Sequence, residues 1–252
     1  LSRLLWVLTG NFAKEGGMGL PPYAFGMSFG TDEQPVNGEG GRPRSPVTQS
    51  RIISGLIPCN VVPDEILTDH PERFRGMIVE SSNPAHSVAD SQRMKAALKA
   101  LDLLVVTDVA MTETARLADY VLPTPTQFEK PEATFFNFEY PRNFFHVRHL
   151  LLDAPAGLLA EPEIHARLVE ALGAMPHDEI GVLREALSAG RPQFGASFMS
   201  AMQRNPQFGA VMPVVLYRTL GTSLPEGMAS AAVFWGMAVM GFMRSPDAIR
   251  RA

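Results

Sequence analysis

The chain has 252 residues, 46% hydrophobic and 19% charged, enough for one large domain or two small ones around a real core. Its net charge of −4, with no dense Lys/Arg run, leaves no electrostatic footprint for nucleic acid. A single cysteine, Cys59, excludes an internal disulfide framework and a four-cysteine zinc or iron–sulfur site.

Leu4, Leu5, Val7 and Leu8 predict a short apolar helix punctuated by Gly10 and Asn11. A glycine-rich loop follows. Residues 31–50, rich in Gly, Pro and polar groups, read as a long mobile or functional connection with little to bury. The mostly apolar run Ile52 to Val62 leads into the acidic stretch PDEILTDHPERF; within it Cys59 reads as a small buried residue.

From residue 76 the pattern sharpens. GMIVES reads as a buried strand followed by the turn SSNP. Ser87 to Leu101 has helical spacing, with Val88, Met94, Leu98 and Leu101 on one side. LDLLVVTDV is a second apolar strand of the kind covered on both faces. Thr112 can cap a short helix over TETARLAD, and DYVLP is a third strand. Strand, helix, strand, helix, strand predicts an α/β fold, Rossmann-like, with a parallel sheet. Residues 126–152 read as irregular or extended, and there His146 and His149 fall on opposite faces of a strand rather than forming a metal pair. Glu163 to Leu172 is a short amphipathic helix. Residues 178–252 are helical and are expected to break at Pro192, Pro206, Pro213, Pro225 and Pro246. The predicted organisation is a connecting segment over 1–74, a Rossmann-like domain over 75–175 and a helical extension over 176–252.

Open parallel sheets bind ligands at the carboxyl ends of their strands. Those ends carry Ser81, Ser82 and Asn83 after the first strand, and Thr107 and Asp108 after the second. A carboxylate there can accept both hydroxyls of a ribose. Without a glycine-rich phosphate fingerprint, Asn83-Pro84 also reads as a plain turn, and Asp108 as a polar residue before a helix.

TDVAMTETARLADYVLPTPTQFEKPEATFFNFE (107–139), together with LTGNFAKEGG (8–17) and VESSNPAHSVAD (79–90), resembles the third domain of the dimethyl-sulfoxide-reductase superfamily of molybdenum enzymes. The motifs occur in family order over roughly 1–172. Ala133 replaces a family glycine, and Pro131 adds a residue after Lys130. The resemblance implies that Ser82, Asn83, Thr107, Asp108, Lys130 and Glu161 contact one guanine dinucleotide arm of a bis(molybdopterin guanine dinucleotide) cofactor carrying molybdenum or tungsten. Glu161 could accept from guanine N1–H and its 2-amino group. Thr112, Glu113, Thr114, Ala118 and Asp119 are expected to cap and seat a helix, and Asn137 and Glu139 to make buried hydrogen bonds.

No catalytic residue or metal ligand is expected within the chain, which begins at Leu1 and reads as an internal piece. Metal ligation and any iron–sulfur cluster would lie outside it. The implied partners are the remaining domains of the same polypeptide and an unidentified electron donor or acceptor. A cytoplasmic location is expected, or a periplasmic one if a preceding segment carries an export signal. The alternative is a non-catalytic homologue resembling the large iron–sulfur subunit of respiratory complex I. The uncharged stretch Gly227 to Met243 falls short of the roughly 20 residues of a membrane span and reads as a helix packed on protein.

Overall fold

In the computed structural model the described residues are 2–12, 14, 17, 44–52, 56–133, 146–205 and 208–244. They divide into two units, Ser28–Pro125 with Gly157–Leu159, and Leu1–Met27 with Thr126–Ala156 and Ala160–Ala252. The chain opens with helix α1 (Ser2–Leu8), closed by Gly10 in the left-handed region at φ 67°.

In the Ser28–Pro125 unit, α2 (Val62–Ile66) precedes β1 (Gly76–Glu80), α3 (Pro84–Ser87), α4 (Ser91–Lys99), β2 (Leu103–Asp108) and β3 (Tyr120–Pro123). The three strands form a parallel sheet in the order β1-β2-β3, so the fold class is the α/β one that the alternation predicts. Central β2 is the most apolar strand, with Leu104 and Val106 fully buried. They pack with Val79, Met94, Leu98 and Ala115 into one core. The helix expected over 87–101 is interrupted. Val88 to Asp90 leave the helix, Asp90 adopts φ 55°, and its carboxylate caps α4 by accepting from Arg93 N–H at 3.1 Å. A short polar side chain that can satisfy a helix-start donor competes here with helix continuation.

Residues 44–51 close on themselves through an antiparallel bridge between Arg44 and Arg51. What holds them is Glu65, which is completely buried in α2. Its carboxylate accepts from Val47 N–H at 2.9 Å, Thr48 N–H at 3.0 Å and Thr48 Oγ1 at 2.6 Å. Cys59 is exposed, contrary to the burial expected for it. It lies in the 3₁₀ turn Cys59–Val61, none of whose residues is buried.

In the other unit, the two-residue strands β4 (Glu132–Ala133) and β5 (Val147–Arg148) pair antiparallel. Helices α5 (Glu161–Ala171), α6 (His177–Ala189), α7 (Arg191–Arg204), α8 (Phe208–Arg218) and α9 (Ala232–Arg244) follow. Their core contains an aromatic cluster in which the Trp235 ring lies 5.3 Å from Phe194 and 5.7 Å from Phe198, both edge-on. Proline does not break every helix. Pro192 sits in the first turn of α7, and Pro213 is accommodated inside α8. The uncharged stretch forms α9, whose Trp235 joins this core, and among the described residues no helix is long and apolar enough to cross a membrane. Asn137 and Glu139 lie outside the described residues.

Candidate nucleotide-binding edge

The register of the sheet decides what its carboxyl edge presents. Glu80 is level with Thr107, Thr107 with Leu122, and Asp108 with Pro123. The three strands therefore end together, and the residues after them share one edge: Ser81 to Asn83, Asp108 with Val109, and Thr124. Ser81 N–H donates to Thr107 C=O at 3.0 Å, and Thr124 N–H to Asp108 C=O at 3.2 Å, extending the ladder one step beyond the strands. Ser81 then turns sharply at φ 51°, an uncommon conformation for a residue with a Cβ. This turn leaves Ser82 exposed.

The individual side chains differ in what they have left to offer. Asp108 is half-buried, and its Oδ1 accepts from Val109 N–H at 2.7 Å. Thr107 is buried beneath the edge. Thr124 is buried as well, and its Oγ1 has no hydrogen-bond partner. A buried hydroxyl without a partner costs free energy, so its position at the end of a parallel sheet is chemically informative. Thr124 is a residue that sequence reasoning did not select. The available signal was its place directly after the third strand.

Asn83 is heavily committed. Its Oδ1 accepts from Thr114 N–H at 3.2 Å and Thr114 Oγ1 at 2.8 Å, and its Nδ2 donates to Glu113 Oε2 at 2.6 Å. Thr114 Oγ1 in turn accepts from Ala85 N–H at 3.1 Å. The hydrogen bond from Asn83 is the main cause that holds the Glu113 carboxyl below its usual range, followed by one from its own backbone N–H, with smaller help from His86 and Arg116. The expected capping roles are seen at Thr112, whose Oγ1 accepts from Ala115 N–H at 3.2 Å, while Asp119 instead accepts from Leu104 N–H at 2.7 Å and so ties β3 to β2. The helix expected over TETARLAD is reduced to the 3₁₀ turn Ala115–Leu117.

In the helical unit, Lys130 and Glu161 form an ion pair with only 17% and 11% of their side chains exposed. Glu161 opens α5 and Pro162 follows it in the first turn, where a carboxylate is favoured by the helix dipole. Sequence reasoning singled out both residues but not their pairing. Nearby, Arg218 bridges α8 to α5 through Glu163 at 2.6 Å and Glu170 at 2.8 Å. Burial works against its charge, but these carboxylates outweigh burial and raise the Arg218 pKa.

Among the described residues no cluster of His, Cys, Asp and Glu could hold a metal ion. Residues 55–153 match the family model of molybdopterin oxidoreductases.

Over that stretch this chain is similar to the molybdopterin oxidoreductases.

The motifs and the family model point to the same superfamily. The alpha subunit of an F420-dependent formate dehydrogenase of Methanococcus maripaludis is 37% identical over 44% of this chain and 16% of its own length. A trimethylamine-N-oxide reductase of Vibrio vulnificus is 32% identical over 40% of this chain and 12% of its own length. A probable oxidoreductase of Bacillus subtilis is 36% identical over 44% of this chain and 16% of its own length. The alignments therefore span about one sixth or less of these relatives. Among solved structures, acetylene hydratase from Pelobacter acetylenicus aligns with 46% of this chain and 16% of its own, at 26% identity and a TM-score of 0.41.

Proposed function

We propose that the carboxyl edge of the parallel sheet holds the nucleotide end of a molybdopterin guanine dinucleotide, within an oxidoreductase whose metal is molybdenum or tungsten. One observation carries this reading: Asp108, Ser82 and the partnerless Thr124 hydroxyl share the edge where parallel sheets bind ligands. The donor and acceptor set fits that group. Asp108 can accept from ribose hydroxyls, Ser82 lies on an exposed turn that a phosphate or sugar can approach, and Thr124 has an unspent hydroxyl.

When bound, the cofactor supplies a metal held by dithiolene sulfurs that exchanges electrons with substrate. This chain's task is to bind and orient, since cofactors carry the hard chemistry. Lys130 and Glu161, considered within the helical unit alone, are proposed to meet the same class of ligand. Guanine offers two donors to a carboxylate, whereas Lys130 already engages Glu161 Oε1. Lys130 must therefore share or yield that oxygen when guanine is read, and a phosphate gives its ammonium an alternative anion. The guanine form, any iron–sulfur cluster and the electron partner belong to this same proposal, as do the remaining domains of the polypeptide.

The test is cofactor content of the purified protein after gel filtration, read as pterin and metal per chain. Ser82→Ala and Thr124→Val should each lower pterin and metal together. Unchanged content in both variants would remove this edge from the site.

A further inference from the structure

Ser82 and Asp108 can serve a ligand only if the loop after β1 keeps its shape, and that loop is strained at Ser81. The structure shows what holds it. Asn83 spends both lone pairs of Oδ1 on Thr114 and one Nδ2 proton on Glu113. Thr114, which is fully buried, returns an acceptor to Ala85 N–H at the start of α3. Two segments about 30 residues apart, the turn 81–85 and the turn 112–115, are thereby joined side chain to backbone in both directions. The Asn83 side chain is thus mostly committed to holding the loop, with one Nδ2 proton left over.

We infer that Thr114 and Glu113 are positioning residues for the nucleotide site, acting through Asn83 to hold the Ser81–Ser82 turn in the shape that receives the ligand. This rests on the reading of the edge given above. A hydroxyl at 114 is needed because it donates to Asn83 and accepts from Ala85 at once. A carboxylate at 113 is an acceptor for the amide proton that would otherwise be free to rotate Asn83 away. Ser82 is then the direct contact of this loop.

The experiment compares Thr114→Val, Thr114→Ser, Glu113→Ala and Ser82→Ala in the cofactor-loaded protein. Two quantities are read from the folded fraction: the dissociation rate of the molybdopterin nucleotide, followed as released pterin, and, once the cofactor has been released, amide hydrogen exchange over residues 81–85. Thr114→Val and Glu113→Ala should speed release about tenfold, the loss expected from one misplaced charge-assisted hydrogen bond, and should speed exchange over 81–85. Thr114→Ser should restore both to near wild type. Ser82→Ala should speed release while leaving exchange unchanged, because it removes the contact and not its support. If Ser82→Ala speeds release but Thr114→Val and Glu113→Ala do not, the positioning role is overturned while the site stands. If none of the variants changes release, the site itself is wrong. Should Thr114→Val fail to fold, exposed Glu113 decides the matter, since its truncation removes no core packing.

Discussion

Replacing Glu65 by glutamine is the sharpest stability perturbation in the sheet-bearing unit. Burial by itself pushes the Glu65 carboxyl upward. Hydrogen bonds from Ser45, from the Thr48 side chain and from the backbone of Thr48 and Val47 outweigh burial and lower it to about 2, against an ordinary 4.5. A carboxyl held at about 2 contributes about 3 kcal/mol to folding at neutral pH. The folded-state value is depressed, so this contribution is fully present above 4.5 and is lost as pH falls toward 2. Glu65→Gln keeps the shape but turns an amide donor toward the N–H groups of the 44–51 turn. The expected loss at pH 7 is about 2–3 kcal/mol. Urea unfolding of both proteins at pH 7 and pH 3 measures it. Reading the difference between them cancels the other carboxylates, and it should shrink by about 2 kcal/mol at the lower pH. A difference below about 0.5 kcal/mol at pH 7, or one independent of pH, would show that the Glu65 carboxylate does not anchor the turn.

In the helical unit, Phe198→Ala should cost about 3–5 kcal/mol by opening a cavity beside Trp235, measured as a fall in the urea midpoint at constant slope. Gly221→Ala places a Cβ 2.7 Å from the Ala229 carbonyl oxygen and should cost about 1–3 kcal/mol. A melting temperature equal to wild type would show that the backbone yields there. Glu161→Gln should reduce pterin content per chain about 10- to 100-fold, because it sets a donor against guanine's donor edge. Equal pterin content would place guanine elsewhere.

The sheet was legible in the sequence because each strand is an apolar run ending in polar residues, and such runs name both an element and its ligand-facing end. GMIVE, LLVVTD and YVLP became β1, β2 and β3 in that order. Local bonding defeated the continuous helix over 87–101, where a cap by Asp90 was worth more than the periodicity. Long-range pairing was invisible. Nothing in spacing links Asn83 to Thr114, Lys130 to Glu161 or Glu65 to Thr48, because each pair meets only after the chain folds back. Glu65 illustrates the limit most clearly: nothing in the acidic stretch around it marks it as the buried anchor of the 44–51 turn.

If this sheet edge grips the nucleotide of a molybdopterin cofactor, Asp108→Ala must loosen that grip. Asp108 is half-buried at the end of β2, and its truncation removes an acceptor for sugar hydroxyls without opening the core. The measurement is pterin together with molybdenum and tungsten per chain after gel filtration, with the melting temperature of cofactor-free protein alongside. Pterin and metal should both fall about tenfold or more, with the melting temperature unchanged. Cofactor and metal contents equal to wild type would show that the nucleotide is not held at this edge.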